Sequence, residues 1–102
     1  MAEVWTLGYW KAKPGKADEL KRVWQEFASW TSKNVAGAGQ AYLLQDNAEP
    51  SVFYSFGPWE NAENVTGWRG TSEFQSFGRS IGEICDEFQP HSLTEVGRVG
   101  GK

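Results

Sequence analysis

The chain has 102 residues, enough for one two-layered domain and too few for two independent cores. Ten basic and thirteen acidic side chains give a net charge of −3, with the basic residues scattered among the acids, which excludes the basic footprint of a nucleic-acid binder. Aromatic residues reach 15%, with six Trp and six Phe, more than one small core can hide, so some rings must line a pocket or an oligomer interface.

Cys85 is the single cysteine, which rules out an intramolecular disulfide and a cysteine metal cluster and fits a reducing cytoplasm. The opening Met-Ala-Glu-Val-Trp has neither a basic region nor a long apolar run, so no signal peptide is expected, and no stretch approaches membrane-spanning length. The expectation is a cytoplasmic protein with no membrane partner, residues 1–99 forming one domain and residues 100–102 a flexible tail.

Residues 3–11 are rich in aromatic and β-favouring side chains and stop at Pro14-Gly15, which predicts the first strand. Trp5, Leu7 and Tyr9 fall on one face and Val4, Thr6, Gly8 and Trp10 on the other, so neither face is polar and the sheet should be covered on both sides. Residues 16–33 place Leu20, Val23, Trp24, Phe27 and Trp30 at helical spacing among charged residues, an amphipathic helix. Residues 34–39 end it, with Gly37 and Gly39 available for positive φ. Residues 40–45 and 51–57 read as two strands joined by a hairpin connection at residues 46–50, with Pro58 ending the second. A short helix over residues 61–68 is interrupted by Gly67 and Gly70. Ser72 and Gln75 then fit a capping box, and Phe74, Phe77, Ile81, Ile84, Cys85 and Phe88 form a helical stripe up to Pro90. Residues 91–99 alternate loosely and predict an edge strand.

The order β-α-β-β-α-β, with the second helix broken near Gly67–Gly70, matches a ferredoxin-like α+β plan: a four-stranded antiparallel sheet with its helices on one face. Aromatics on both parities of the early strands leave the second face to pack on a copy of itself, so a homodimer is expected.

Four pieces of the chain carry a family resemblance: Lys13-Pro-Gly-Lys16 before Asp18-Glu19, Gly39 before the second strand, Trp59-Glu-Asn-Ala-Glu63, and Thr71-Ser-Glu-Phe74. Together they resemble the antibiotic biosynthesis monooxygenase domains of the dimeric α+β barrel superfamily. The resemblance implies a barrel-like dimer with one pocket per subunit between helices and sheet. Members include cofactor-independent oxygenases of polycyclic phenols, haem-degrading enzymes, and small isomerases or ligand binders. Haem-degrading relatives have a Trp where this chain has Trp68, but their axial His and first-strand Asn fall here on Gly78 and Gly8, so haem loses its main anchor.

The chemistry expected is therefore cofactor-independent oxygenation of a small planar aromatic, phenolic substrate that itself reduces oxygen, with no metal and no flavin. Trp68, with an apolar face and one N–H, and Arg69, able to face a phenolate, are the first candidates for substrate binding. Gly8, Trp10 and Thr6 share a strand face toward the helices, and Phe74 and Phe77 come from the second helix. The structural alternatives are that Trp68 is core, that Arg69 is a solvated charge, and that Gly8 marks a bulge or a close helix approach. Catalytic residues are not assignable: Tyr9, Tyr42 and Tyr54 lie on strands, Cys85 on an apolar stripe, His91 at a strand start, and Glu60, Glu63 and Glu73 in helix first turns. The competing function is a non-catalytic binder of a small hydrophobic molecule, or a stress-associated protein without turnover.

Overall fold

In the computed structural model, residues 4–101 are described; Glu3, read from sequence as the start of the first strand, and Lys102 of the tail lie outside them. Seven elements follow one another: β1 (Val4–Ala12), α1 (Ala17–Asn34), β2 (Tyr42–Gln45), β3 (Val52–Trp59), α2 (Ala62–Arg69), α3 (Ser72–Ile84) and β4 (Cys85–Thr94). The strands form one antiparallel sheet in the order β2-β3-β1-β4, which is the ferredoxin-like arrangement.

Sheet parity decides where each strand residue goes. Trp10 pairs with Phe53 on one side and Phe88 on the other, and this row faces the helices. It joins Leu20, Phe77, Ile81 and Ile84 in a single core. The opposite row, with Tyr9 paired to Tyr54 and Leu7 to Phe56, lies on the uncovered face. The exposed large apolar residues of the strands, Tyr42, Leu44, Tyr54 and Leu93, all belong to that face.

Several boundaries differ from the sequence reading. Pro58 does not end β3, which runs on to Trp59. A strand residue's N–H and C=O point the same way, and Pro58 O accepts from Gly39 N at 2.9 Å, so the missing N–H faces residues 38–41 and removes no bond to β1. Gly67 lies inside α2, and the break comes at Gly70, the residue that caps it.

The cap of α3 is Thr71, whose Oγ1 accepts from Phe74 N at 3.1 Å; Ser72 is already the first helical residue. The helix then ends at Ile84 rather than continuing toward Pro90, because residues 85–94 pair with β1. A register irregularity between Lys11 and Ala12 lets Cys85 and Phe88 both face the core. In a regular strand, residues three apart would point to opposite faces, so the helical spacing of these two was misleading.

The last strand is shorter at its far end than expected, stopping at Thr94. Glu95 turns back to accept from Trp5 Nε1 at 3.1 Å and from Arg98 Nε at 2.7 Å, and Val96 and Val99 are almost wholly exposed. The hydrogen bonds from Arg98 and then from Trp5 hold the Glu95 carboxyl below its ordinary range.

The helix exit also follows from two different glycine roles. Gly37 takes a φ of 86°, which a side chain would disfavour, whereas Gly39 does not. A Cβ on Gly39 would stand 2.9 Å from Pro58 O, so Gly39 is small because residues 38–41 lie directly against β3. Gly57 gives way from the other side: its Cβ would meet Gln40 O at 3.0 Å.

Candidate functional site

α1 packs more extensively along α3 than along any one strand. Leu20, at its start, is fully buried, but Trp24 and Phe27 are only partly covered and face a gap between the helix and the sheet. The gap is a cavity of about 390 Å³, within the usual range of small-molecule sites, bounded by α1, residues 38–41, the end of β3 and Trp68. A smaller recess of about 60 Å³ adjoins it, and Thr6, Trp24, Phe27, Ser55 and Trp68 line both.

All seven residues singled out from sequence, Thr6, Gly8, Trp10, Trp68, Arg69, Phe74 and Phe77, line the inner recess. Only Thr6 and Trp68 of these reach the larger outer cavity. The outer walls from α1 and residues 38–41 were not anticipated. Their signal was present as the amphipathic helix itself, whose ring-bearing face was read from sequence without any of its residues being named for the site.

Rings hold the site open. Phe27 stacks on Phe77 with centroids 4.2 Å apart, Trp68 lies 4.9 Å from Trp59, and Phe74 meets Trp68 edge-on at 4.8 Å. Three indole N–H groups are engaged by hydroxyls: Trp10 donates to Ser55 Oγ at 3.0 Å, Trp59 to Thr6 Oγ1 at 3.1 Å, and Trp68 to Thr31 Oγ1 at 3.0 Å. Trp68 therefore lines both spaces with its N–H already engaged: the donor that sequence reasoning offered to a ligand fixes the ring on α1. Gly8 has a similar explanation: a Cβ there would stand 2.8 Å from both Ser55 Oγ and Trp10 Nε1, so the missing side chain makes room for that hydrogen bond.

Arg69 is not a freely solvated charge. It is partly buried at the end of α2, and its Nε is shut off from solvent with no hydrogen-bond partner. Lys33 is the other cation on the cavity walls.

Among the described residues, neither space is lined by Asp, Glu, His, Tyr or Cys. Tyr9, Tyr42 and Tyr54 all stand on the uncovered face of the sheet, Tyr9 and Tyr54 with rings 5.6 Å apart. His91 shares that face, paired in register with Leu7. Gly78 has open space where a side chain would begin. No imidazole, thiolate or phenolate of this chain is thus placed to ligate a haem iron in the cavity, and haem does not fit the residues present. Among the described residues, no group of His, Cys, Asp and Glu could hold a metal ion.

Cys85 belongs to the core rather than to the site. Burial, then the nearby Asp86 carboxylate, push its thiol up to about 11 from an ordinary 9.0. The folded state thus favours the protonated thiol. Its contribution to stability is complete below pH 9.0 and is lost as pH rises toward about 11. The native protein at pH 8 should accordingly react with an aromatic disulfide reagent far more slowly than the unfolded chain, and equal rates would contradict a buried Cys85.

The antibiotic biosynthesis monooxygenase family model matches residues 4–80. The chain belongs to this family. Solved structures similar to this family member include protein PA3566 of Pseudomonas aeruginosa, at 22% identity and a TM-score of 0.79, covering 95% of this chain and 97% of that one. Another, from Caulobacter crescentus, is provisionally assigned as an antibiotic biosynthesis monooxygenase; it is 20% identical with a TM-score of 0.84, covering 94% and 92%. A third, from Deinococcus radiodurans, carries the same provisional assignment at 15% identity and a TM-score of 0.83, covering 97% of each chain. At these identities the likeness is one of fold. No curated protein sequence matches the chain significantly.

Proposed function

We propose that this member of the antibiotic biosynthesis monooxygenase family oxygenates a small planar aromatic substrate without a cofactor, in the cavity between α1 and the sheet. The observation that carries the reading is a ring-walled space of about 390 Å³, with Trp24, Phe27, Trp59 and Trp68 around it and, among the described residues, no carboxylate or imidazole in its lining. Such a space favours a substrate that supplies its own reactivity.

A phenol with an acidic methylene loses a proton to give a delocalised anion. That anion passes one electron to O₂, the radical pair combines to a peroxide, and the peroxide loses water to leave a carbonyl. One oxygen atom enters the product and the other leaves with both methylene hydrogens as water. The protein's part is to hold the ring flat, keep bulk water from the anion and place positive charge near it.

The protein is proposed to work as a homodimer through the uncovered sheet face and to reside in the cytoplasm. The first part rests on the aromatic row of that face, the second on the lone cysteine. No helix of the described residues is long and apolar enough to cross a membrane.

Anthrone or a hydroxylated anthrone mixed with the protein in air should give quinone absorbance faster than buffer alone. No acceleration across several such phenols would end the oxygenase reading. The absence of a general base among the lining side chains favours a second reading, a binder without turnover. A molecule that co-purifies and is released chemically unchanged would support that one.

A further inference from the structure

The sheet side of the cavity is a small polar patch. Thr6 pairs with Gly57 and Ser55 with Gly8, so on the helix-facing side of β1 and β3 each hydroxyl residue stands across from a glycine, with no cross-strand side chain as a hydrogen-bond partner. Both residues line the outer cavity and the inner recess.

Each of the two oxygens already accepts one hydrogen bond. Trp59 Nε1 donates to Thr6 Oγ1 at 3.1 Å and Trp10 Nε1 to Ser55 Oγ at 3.0 Å. An indole N–H is a donor only, so these bonds occupy a lone pair of each hydroxyl and turn its proton away from the indole nitrogen. Among the described residues, no acceptor takes either proton. A hydroxyl that accepts from an N–H is also the stronger donor, because the two bonds polarise one another. The need of two buried indoles for an acceptor accounts for one lone pair on each oxygen, and not for two protons left over on the wall of a cavity.

We propose that Thr6 and Ser55 act together as a pair of hydroxyl donors that hold an acceptor oxygen of the ligand on the sheet side of the cavity. This rests on the cavity being the substrate site and gives that site its specificity: an acceptor oxygen over an N–H or O–H donor. A ligand that displaces water from the sheet has to take these protons itself. One with a carbonyl or phenolate oxygen there does so, whereas one offering only a donor leaves both unpaired, at a cost. During oxygenation the same pair faces the oxygen on which negative charge grows as the methylene loses its proton. Gln25, Ser32, Lys33 and Gln40 of the outer cavity are exposed, so water competes for them and they impose no such preference.

Calorimetry on the full chain compares chromone, a planar bicycle with a ring carbonyl and no donor, with indole, a planar bicycle with an N–H donor and no acceptor oxygen. Wild type should bind chromone at least about fivefold more tightly, the worth of a single neutral hydrogen bond. Ser55→Ala and Thr6→Val should each weaken chromone binding by about fivefold and leave indole within about twofold, while Thr6→Ser, which keeps the hydroxyl, should leave both within about twofold. The carbonyl stretch of isotope-labelled chromone bound to wild type should lie below its position in an apolar solvent and move part of the way back in Ser55→Ala and Thr6→Val. If either of these variants fails to fold, the wild-type stretch and the wild-type preference still decide. Equal affinities or an indole preference in wild type, no binding of either probe, a chromone preference that survives both substitutions, or an unshifted carbonyl stretch would overturn the inference. Neither probe has an oxidisable methylene, so a failed quinone assay with an intact chromone preference would remove turnover and keep the donor pair.

Discussion

Replacing Trp10 by alanine should lower stability by about 3–5 kcal/mol, the range for truncating a large buried ring. Trp10 is 3% exposed, stacks on Phe88 at 4.2 Å and meets Phe77 edge-on at 5.7 Å, so its loss opens a void where β1, β4 and α3 converge. A small domain has only about 5–15 kcal/mol in total, so the variant should sit near the edge of folding. Trp10→Phe separates the ring from the hydrogen bond. It keeps most of the packing and loses the donor to Ser55, and should cost nearer about 1–2 kcal/mol. Urea midpoints at constant slope measure both. If Trp10→Ala cost under about 1 kcal/mol, the ring would have to be a cavity lining with little share in the core.

A carboxylate placed at the middle of the uncovered sheet face should dissociate the proposed dimer. Tyr54 stands on β3 opposite Tyr9 and beside Leu44, and 37% of it is exposed in the single chain. Tyr54→Glu should therefore cost the isolated fold little. In a twofold interface each copy would bury one unpaired charge, at about 3 kcal/mol or more apiece, which together weakens association by roughly four orders of magnitude. Light scattering should give about twice the 11.4 kDa chain mass for wild type and a single chain mass for the variant. A wild-type monomer at micromolar concentration would show that the aromatic face has another use.

Much of the candidate site was legible because it depends on parity and spacing. Thr6, Gly8 and Trp10 share a face of β1 by strand alternation alone, and Phe74 and Phe77 share a helix face by their separation of three. The break at Gly70 put Trp68 and Arg69 at the end of α2, on the same recess. The outer cavity was not legible. Its walls come from α1, residues 38–41 and the end of β3, segments far apart in the chain that only the packing of the whole fold brings together. The engagement of Trp68 N–H by Thr31 was hidden for the same reason, since the two residues are 37 apart in the chain.

By itself the sequence determined the element order, the helix-facing rows of the strands and the aromatic surplus that demanded a pocket or an interface, because these follow from side-chain period and composition. Only the tertiary structure decided where α3 gives way to β4, since Cys85 and Phe88 fit a helix stripe and a bulged strand equally well until β1 is there to pair with. It also decided that the space above Gly8 belongs to Trp10 and Ser55, and that Arg69 stands unpaired beside a recess. Those are distances between groups far apart along the chain, set by packing all the elements at once.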